Sequence, residues 1–325
     1  MGQWLRSGWA ALGVGLVMAC APACAQDYPT RAIRLVVPFG PGGVSDIVAR
    51  AYAQGLERVI GQSVVVENRA GASGNIGTEL VAQSAPDGYT LLLAFDGTLA
   101  INPHVYAKPG FDPVKDFAPI TKIGNSTQIL VGKPGLPVAS LSELVAQGKA
   151  MGALNYGSSG AASPGHVSGE MLRIASGLAL AHIPYKGGAA AVNDVMAGQI
   201  DLAFTAVATA KPLIESGKLK GLAVTTARRS VMLPGVQTFT EAGLKDFVVD
   251  TWLGIMAPAR TPTAITNKLS VDSIKVLADE SLRKRLTELG VEPVGSSAQE
   301  FGEQVRQDVA RWALVVREAQ IKLAP

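Results

Sequence analysis

The sequence has little charge, few aromatic side chains and almost no cysteine. Charged residues make up 17% of the 325 residues and aromatic ones 6%, whereas 48% are hydrophobic, so the composition supports a packed core and excludes a disordered chain. Basic residues exceed acidic ones by three (29 − 26 = 3) and are scattered. A nucleic-acid groove needs a concentrated basic stripe, so we expect no nucleic-acid partner. Beyond the N-terminus no run reaches the roughly 18 apolar residues of a membrane span.

Both cysteines, Cys20 and Cys24, lie in an N-terminal segment typical of a secretory signal peptide. Its apolar run covers residues 9–19, and a small-x-small cleavage site covers residues 23–25. Lipidation of Cys20 is the alternative. We expect removal of residues 1–25 and a periplasmic mature chain that has no disulfide and depends on its core for stability.

Strand-like and helix-like segments alternate along the mature chain. Residues 33–37 form a β-branched run, and apolar residues then recur at helical spacing up to Gly61. Strands alternating with helices of about 10–15 residues predict parallel sheets and an α/β fold, and the number of strands fits two sheets better than one. In such sheets ligands bind beyond the carboxyl ends of the strands.

A glycine-rich loop, residues 38–46, follows the first predicted strand and opens a helix. Its three glycines let the backbone approach a ligand closely, and the unpaired N–H groups at a helix N-terminus favour an anion. It is not a phosphate-binding P-loop, because it lacks the Gly-Lys-Ser/Thr ending. Asp46 would repel an anion, so it either caps the helix or holds an ordered water or a donor group of the ligand.

A second loop, residues 155–166, has the same form. Ser163 is a good N-cap and Pro164 suits the first helical position. An ordinary capped helix is the alternative to a ligand site, and the presence of two such loops favours the ligand site. The free N–H and hydroxyl groups of this loop belong to Ser158, Ser159, Gly165 and His166.

Polar groups also follow three other predicted strands. Tyr185 could stack on a ligand or hydrogen-bond to it, and residues 187–188 are glycines that would leave room. Lys186 is more simply explained as a solvated side chain. Further hydroxyl groups belong to Thr98, Thr205 and Thr209.

The sequence does not favour an enzyme. Residues 161–165 lack the first glycine of a GxSxG nucleophile elbow, and Pro164 has no N–H for an oxyanion hole. None of His104, His166 and His182 has a partner at metal-ligand spacing, and no acidic pair indicates acid–base catalysis. We expect no catalytic residue, no metal and no cofactor.

Motifs along the whole mature chain, in order, resemble the Bug family of bacterial extracytoplasmic solute-binding proteins, also called the tripartite tricarboxylate receptor family. Because they span the chain, the match is far more specific than one glycine loop. The matching segments are residues 28–29, 37–50, 66–72, 85–90, 101–103, 156–160, 163–166, 184–188, 217–219, 222–225, 241–243 and 251–252.

The resemblance implies a type II periplasmic-binding-protein fold, in which two α/β lobes joined by two crossing strands close on a ligand. We place the crossings near residues 123–131 and 249–257. Lobe I would then comprise residues 26–124 and 250–325, and lobe II residues 125–249. A monomer is the family's default.

Members of this family typically bind small carboxylates through backbone N–H groups, hydroxyls and ordered waters of two glycine-rich loops. On this chain the resemblance implies Phe39, Gly43 and Asp46 on one side, and Ser158 and Ser163 on the other. It also gives Asp46 a role in organising water. With the polar groups above, the candidate ligand-binding residues are Phe39, Gly43, Ser45, Asp46, Asp96, Thr98, Ser158, Ser163, Gly165, His166, Tyr185, Gly188 and Thr205.

Asp96 departs from the pattern, because a small or hydroxyl residue would suit an anion better at this position. If Asp96 faces the cleft, it disfavours a second ligand carboxylate and favours a hydroxyl, amide or ammonium group. Alternatively, it faces solvent or caps the next segment.

The predicted function is that of a periplasmic receptor. It would capture a small carboxylate by lobe closure and deliver it to the membrane subunits of a tripartite tricarboxylate-type transporter. A binding protein that serves a signalling partner is the main alternative, and a periplasmic hydrolase is the weaker one.

Overall fold

The computed structural model describes residues 28–185, 187–245 and 247–318. The predicted signal peptide and Lys186 lie outside the described residues. Strands of the described part form two sheets. They are β1 (Ile33–Val37), β2 (Val64–Asn68), β3 (Thr90–Phe95), β4 (Phe117–Ser126), β5 (Gln128–Gly132), β6 (Leu154–Ser158), β7 (Leu180–Pro184), β8 (Leu202–Ala206), β9 (Lys220–Val224), β10 (Thr251–Pro258) and β11 (Val291–Pro293).

Helices cover both sheets, and shorter 3₁₀ turns and one π-helical turn, Gly97–Ile101, connect them. The α-helices are α1 (Val44–Ile60), α2 (Asn75–Ala82), α3 (Asn102–Val105), α4 (Leu141–Gln147), α5 (Pro164–Ser176), α6 (Gly188–Met196), α7 (Val207–Glu215), α8 (Thr263–Ala278), α9 (Glu280–Glu288) and α10 (Ala298–Glu318).

The first sheet has six strands in the spatial order β11–β4–β10–β3–β1–β2. β1 is parallel to β2 and β3, with Leu35 beside Val66 and Leu91. β10 runs antiparallel between β3 and β4. The carboxyl ends of β1, β2 and β3 therefore share one edge of this sheet.

The second sheet has five strands in the order β7–β6–β8–β5–β9, and β6 is parallel to β7 and β8. The chain passes to this sheet where β4 ends at Ser126 and β5 begins at Gln128, and it returns where β10 begins at Thr251. The expected α/β fold with two lobes is confirmed. The exact division of the chain between the lobes remains a prediction.

Helix α1 shows how the sequence pattern becomes structure. Val48, Tyr52 and Leu56 recur at helical spacing and are fully buried. Gly61 ends the helix in the left-handed conformation (φ 70°), and its N–H donates to the carbonyl oxygen of Glu57. The helix starts directly after the first glycine loop and so presents its N-terminus at the edge of the sheet.

The C-terminal helix α10 packs on both lobes. Phe301 and Val305, in its first half, lie in one hydrophobic cluster with Trp252 of β10. Trp312 and Val316, in its second half, lie in another cluster with residues of β6 and β8. This helix therefore links the lobes, although the predicted division assigns it to lobe I alone.

Some local predictions differ from the structure. The stretch at residues 103–119 contains part of α3 and the start of β4. Strand β4 escapes pattern analysis because Pro119 and Lys122 interrupt its apolar alternation. Thr209 lies inside α7 rather than in a loop, since that helix begins at Val207. Across the described ranges, no helix combines the length and apolar character that crossing a membrane requires.

Candidate ligand-binding site

The loops that follow β3 and β6 meet between the two lobes. A Cβ atom placed on Gly97 would lie 3.2 Å from Cδ of Pro164, at the start of α5. On the lobe I side, a Cβ atom placed on Gly74 would lie 3.3 Å from Cζ of Phe39 and 2.5 Å from Oγ1 of Thr98. The loops after β1, β2, β3 and β6 therefore surround one place, at the carboxyl ends of parallel strands.

Asp46 holds the first glycine loop together. Its carboxylate accepts hydrogen bonds from the N–H of Gly42 (3.0 Å), from Nε of Arg50 (3.1 Å) and from Nδ2 of Asn68 (3.0 Å). Asn68 Nδ2 also donates to the carbonyl oxygen of Phe39 at 3.0 Å. The hydrogen bond from Arg50 is the main reason that the pKa of Asp46 is lowered to about 2. Asp46 thus stabilises the conformation of the loop through hydrogen bonds.

The N-terminus of α1 remains open. Gly43 is its N-cap, and no side chain caps it. In the described part of the chain, the N–H groups of Gly43, Val44 and Ser45 have no hydrogen-bond partner. The ring of Phe39 packs edge-on against Phe95, with centroids 5.4 Å apart. The loop therefore offers unpaired N–H groups beside an aromatic wall, an arrangement that suits an anion with an apolar body.

A further loop of lobe I, at residues 71–74, was not among the site loops that the sequence predicted. Ala72 (φ 46°), Ser73 (φ 54°) and Gly74 (φ 95°) are all left-handed. The carbonyl oxygen of Ser73 accepts hydrogen bonds from Thr98 Oγ1 (2.9 Å) and from Asn102 Nδ2 (3.1 Å). Such strain is found where the surroundings hold a backbone in a required shape. The Gly-Ala-Ser-Gly sequence that follows β2 was the sequence feature that could have identified this loop as part of the site.

Asp96 is buried. Its side chain is 0% exposed, and neither carboxyl oxygen has a hydrogen-bond partner among the residues that the structure describes. Burial raises the pKa of Asp96 well above its ordinary value and Asp308 adds to the rise, whereas the Gly97 N–H, Arg311 and Lys122 favour the carboxylate. The expectation that Asp96 faces solvent is therefore wrong, and no side-chain cap of the next turn is seen among the described residues. The expectation that it faces the cleft remains a prediction.

In lobe II, Ser163 caps α5 as expected by accepting the N–H of His166 at 3.3 Å. Its hydroxyl donates to Oγ of Ser158 at 3.1 Å, and Ser158 Oγ lies 2.7 Å from Nε2 of His182. Ser158 is fully buried. Both hydroxyls are therefore engaged inside the loop, contrary to the expectation that they face a ligand. Gly165 is buried and allows α5 to pack closely on β6 and β8.

His166 and His182 form a stacked pair beneath this loop. Their ring centroids are 3.8 Å apart and their planes differ by 10°. His166 Nδ1 accepts the N–H of Ala162 at 3.0 Å, which requires that nitrogen to be unprotonated. Burial lowers the pKa of His166, and burial together with His166 lowers that of His182 to about 3. His166 supports the loop and is not placed as a side-chain ligand contact.

Of the remaining lobe II candidates, the side chain of Tyr185 is hydrogen-bonded within the described part of the protein and that of Thr205 is not. The hydroxyl of Tyr185 donates to Asp194 Oδ2 at 2.6 Å, and burial and that carboxylate raise the pKa of Tyr185 to about 12. This phenol is therefore occupied. Gly188 starts α6, and a Cβ atom there would lie 2.9 Å from Oγ1 of Thr205. In the ranges that the structure describes, no hydrogen bond engages the Thr205 hydroxyl, which remains a candidate.

One backbone donor of the second loop, the N–H of Ala161, was missed by the sequence analysis, which had named that of Gly165. Ala162 (φ 60°) joins Ala72 and Ser73 as the non-glycine residues with positive φ among those described, and all three lie in site loops. This turn leaves the N–H groups of Ala161 and Gly165 without a partner in the described hydrogen-bond network. The free N–H of Gly165 was expected from the Ser-Pro start of the helix, whereas that of Ala161 depends on the fold of the loop and cannot be found from spacing alone.

Neutral donors dominate the described site. The neighbouring basic residues Arg50 and Arg69 are paired with Asp46 and Glu67, respectively. In the residues described, no group of three or more His, Cys, Asp or Glu is arranged to hold a metal. Unpaired N–H groups and two helix N-termini favour one carboxylate without a counter-charge from the protein.

Two α/β lobes whose loops meet between them are the architecture of solved periplasmic binding proteins that are similar to this chain. The chain belongs to the tripartite tricarboxylate transporter receptor family, whose sequence model matches residues 48–321. It is similar to protein BugT of Bordetella pertussis, with 35% identity over 318 residues that cover 97% of this chain and 98% of BugT.

Two solved structures from Rhodopseudomonas palustris are also similar. Rpa4515 with adipate has a TM-score of 0.82 and 37% identity, covering 91% of this chain and all of that one. MatC with bound malate has a TM-score of 0.77 and 30% identity, covering 89% of this chain and all of that one. The predicted family is therefore confirmed, and two of its members are known with carboxylates.

Proposed function

We propose that this protein is a periplasmic receptor that captures a small carboxylate between its lobes and delivers it to the membrane subunits of a tripartite tricarboxylate-type transporter. The observation that carries this proposal is the approach of two lobes at loops with unpaired N–H groups, marked by the contact of Gly97 with Pro164. Carboxylates bound to two similar proteins support the ligand class.

Capture needs no chemical step. The first turn of α1 would bind one carboxylate through the N–H groups of Gly43, Val44 and Ser45, with Phe39 against the apolar body of the ligand. The α5 loop would approach from lobe II with the N–H groups of Ala161 and Gly165 and the hydroxyl of Ser159. Binding to both lobes at once favours the closed form, because only that form makes both sets of contacts.

The roles of the candidate side chains follow from their hydrogen bonds. Asp46, Ser158, Ser163 and His166 hold the loops in shape, while backbone N–H groups and Thr205 contact the ligand. An anion site built from backbone dipoles is rigid and costs little reorganisation on binding. A dicarboxylate would need a second set of donors, for which the N-terminus of α6 beside Thr205 is the candidate.

A ligand-binding screen tests this proposal. The purified mature chain is melted with adipate, malate, acetate and benzoate, and with adipamide as the uncharged counterpart of adipate. A ligand at 100 times its Kd should stabilise the protein by about 2.7 kcal/mol. We expect stabilisation by at least one carboxylate and none by adipamide. Equal shifts with adipate and adipamide, or no shift with any carboxylate, would overturn the proposal.

Calorimetry and product analysis separate capture from turnover. We expect one ligand per chain and recovery of the ligand unchanged after incubation. Accumulation of a hydrolysis product from ester or amide analogues would instead indicate the periplasmic hydrolase.

Delivery and location are tested in the cell. Mass spectrometry of the exported protein should find a mature chain that starts near Gln26, and light scattering should find a monomer. Ligand uptake should require both this protein and the membrane subunits. Binding without dependence of uptake on the protein would favour the signalling alternative.

A further inference from the structure

A group of charged side chains lies between the lobes and includes Asp96, the first residue of the loop after β3. Asp96 and Lys122 are 0% and 7% exposed. Asp250, just before β10, lines one cavity with Asp308 and Arg311 of α10. The charges of Asp308, Arg311 and Lys122 of β4 act on Asp96. We call these five residues the junction cluster.

The junction cluster sits where the chain changes lobes. Asp96 follows Leu93, which lies in a lobe I core, and precedes Ala100 and Ile101, which lie in the lobe II core. On α10, Asp308 stands between Val305 in a lobe I cluster and Trp312 in the lobe II core. A change in the cluster therefore acts on segments that are anchored in both lobes.

The crossing strands contribute the other members. Lys122 lies on β4, four positions before that strand ends at Ser126. Asp250 immediately precedes β10 on the return to lobe I. Movement of one lobe relative to the other must therefore alter the surroundings of these side chains.

The charges of the cluster do not balance. Three acids against two bases leave 2 − 3 = −1 when all are ionised, and Glu292 of β11 adds a further negative charge that acts on Lys122 and Asp250. Lys122 Nζ donates to Gln304 Oε1 at 2.8 Å, and Asp308 Oδ2 accepts from Trp252 Nε1 at 2.8 Å. No donor in the described part of the chain hydrogen-bonds to either oxygen of Asp96. An ionised carboxylate buried in this way is strongly disfavoured, so the missing positive charge belongs on Asp96 as a proton.

We propose that Asp96 is a positioning residue that is protonated in the closed protein, and that taking up this proton favours lobe closure and ligand capture. The second part rests on the proposed function. Neutral Asp96 lets the π-helical turn Gly97–Ile101 pack beneath α10. That turn then carries Thr98 to the carbonyl oxygen of Ser73 and brings Gly97 against Pro164. An ionised Asp96 draws the turn towards water and separates the lobes.

The direction of the pH dependence follows. The folded protein holds a proton on Asp96 that the unfolded chain releases above about pH 4. The stability contributed by neutral Asp96 is therefore complete below that pH and is lost as pH rises towards the raised pKa. Replacement by asparagine keeps the shape and neutrality of the acid and removes this loss.

The first test needs no ligand. Unfolding of wild type and D96N is compared between about pH 4 and pH 8.5, with the exposed D87N as control. We expect the stability of D96N relative to wild type to increase as pH rises. The relative stability of D87N should not increase in this way. A pH-independent loss of stability in D96N would overturn the proposal, because it would show that the ionised carboxylate is used.

Infrared spectra of wild type should show a buried protonated carboxyl band near neutral pH. The absence of that band would also overturn it, even if D96N fails to fold.

The second test measures coupling to capture, with adipate as the probe. Between about pH 6.5 and pH 8.5, wild-type affinity should fall with rising pH by up to about tenfold per unit, as expected for uptake of one proton, whereas D96N should stay constant. Parallel pH profiles would overturn the coupling. If adipate and the other carboxylates fail to bind, the proposed function fails, while unfolding and infrared data still decide the state of Asp96.

Discussion

Gly97 of lobe I lies against Pro164 of lobe II. A Cβ atom on Gly97 would lie 2.8 Å from Cε1 of Phe95 and 3.2 Å from Cδ of Pro164, both closer than ordinary contacts. The two lobes therefore approach here so closely that a side chain at position 97 would force its neighbours to shift. The same contact brings the turn that carries Thr98 to the N-terminus of α5.

Replacement of Gly97 by alanine should weaken ligand binding. The added methyl group meets an aromatic ring and a rigid proline ring, so closure would require overpacking that costs about 1–3 kcal/mol. We expect a loss of affinity of roughly tenfold and a larger radius of gyration by X-ray scattering with saturating ligand. G235A is the control, because a Cβ atom there has nothing within 4 Å. Equal affinity in G97A and G235A would contradict the importance of this contact.

Replacement of Ser163 by alanine should lower both stability and affinity. The variant loses the N-cap of α5 and the hydrogen bond to Ser158, and loss of a cap costs about 1 kcal/mol. Without them the loop no longer holds the N–H groups of Ala161 and Gly165 in place. Denaturant unfolding and calorimetry measure the two effects.

Ser140 provides a matched control for that variant. It caps α4 by accepting the N–H of Glu143 at 3.2 Å, on a helix that is not part of the site. S140A should lose similar stability with unchanged affinity. If both variants keep wild-type affinity, the α5 loop does not contribute to the site.

Asp46 should make the protein sensitive to acid. Its pKa of about 2 in the folded state is lower than the value near 3.9 of an unfolded chain. Its contribution of about 2 kcal/mol is therefore complete above about pH 4 and is lost as pH falls towards 2. D46A should remove this part of the acid dependence and loosen the loop around Gly42. E303A, which breaks an exposed pair with Arg306, should change stability by less than about 1 kcal/mol. An unaltered acid profile in D46A would refute the assignment.

The histidine pair predicts a second loss of stability in acid. Because the folded pKa of His182 is about 3, below the ordinary value near 6.5, its contribution is complete above about pH 6.5 and is lost as pH falls towards 3. The glutamine side chain of H182Q can still donate a hydrogen bond to Ser158, but it does not titrate in this pH range. Wild type should therefore lose more stability than H182Q between about pH 7 and pH 4. A constant difference between the two proteins would show that His182 does not titrate in this range.

The sequence allowed prediction of features that depend on local pattern. The glycine loop before α1 and the Ser-Pro start of α5 were found because helix N-termini have a recognisable local chemistry. The parallel order of the first strands followed from their alternation with helices. The family resemblance supplied the two-lobed arrangement, which local pattern alone does not give.

Features that depend on distant residues were not predictable in this way. Asp96 is buried because α10, more than 200 positions later, packs over it, so its own neighbours carried no sign of burial. The engagement of Ser158 with His182 requires the register of β6 beside β7. The π-helical turn after Asp96 has no sequence period of its own. In each case tertiary contacts decide the role of the residue.

Anchorage of α10 in both hydrophobic cores gives the molecule a third mechanical connection besides its two crossing strands. The helix has 21 residues and is therefore about 30 Å long. When the lobes separate, this helix must bend, rotate or lose its packing against one core. The packing of Phe301 and Trp312 resists all three changes. The opening angle is thus set by the tolerance of these two aromatic anchors as well as by the strands. Paired labels at the two ends of α10 would report this motion directly.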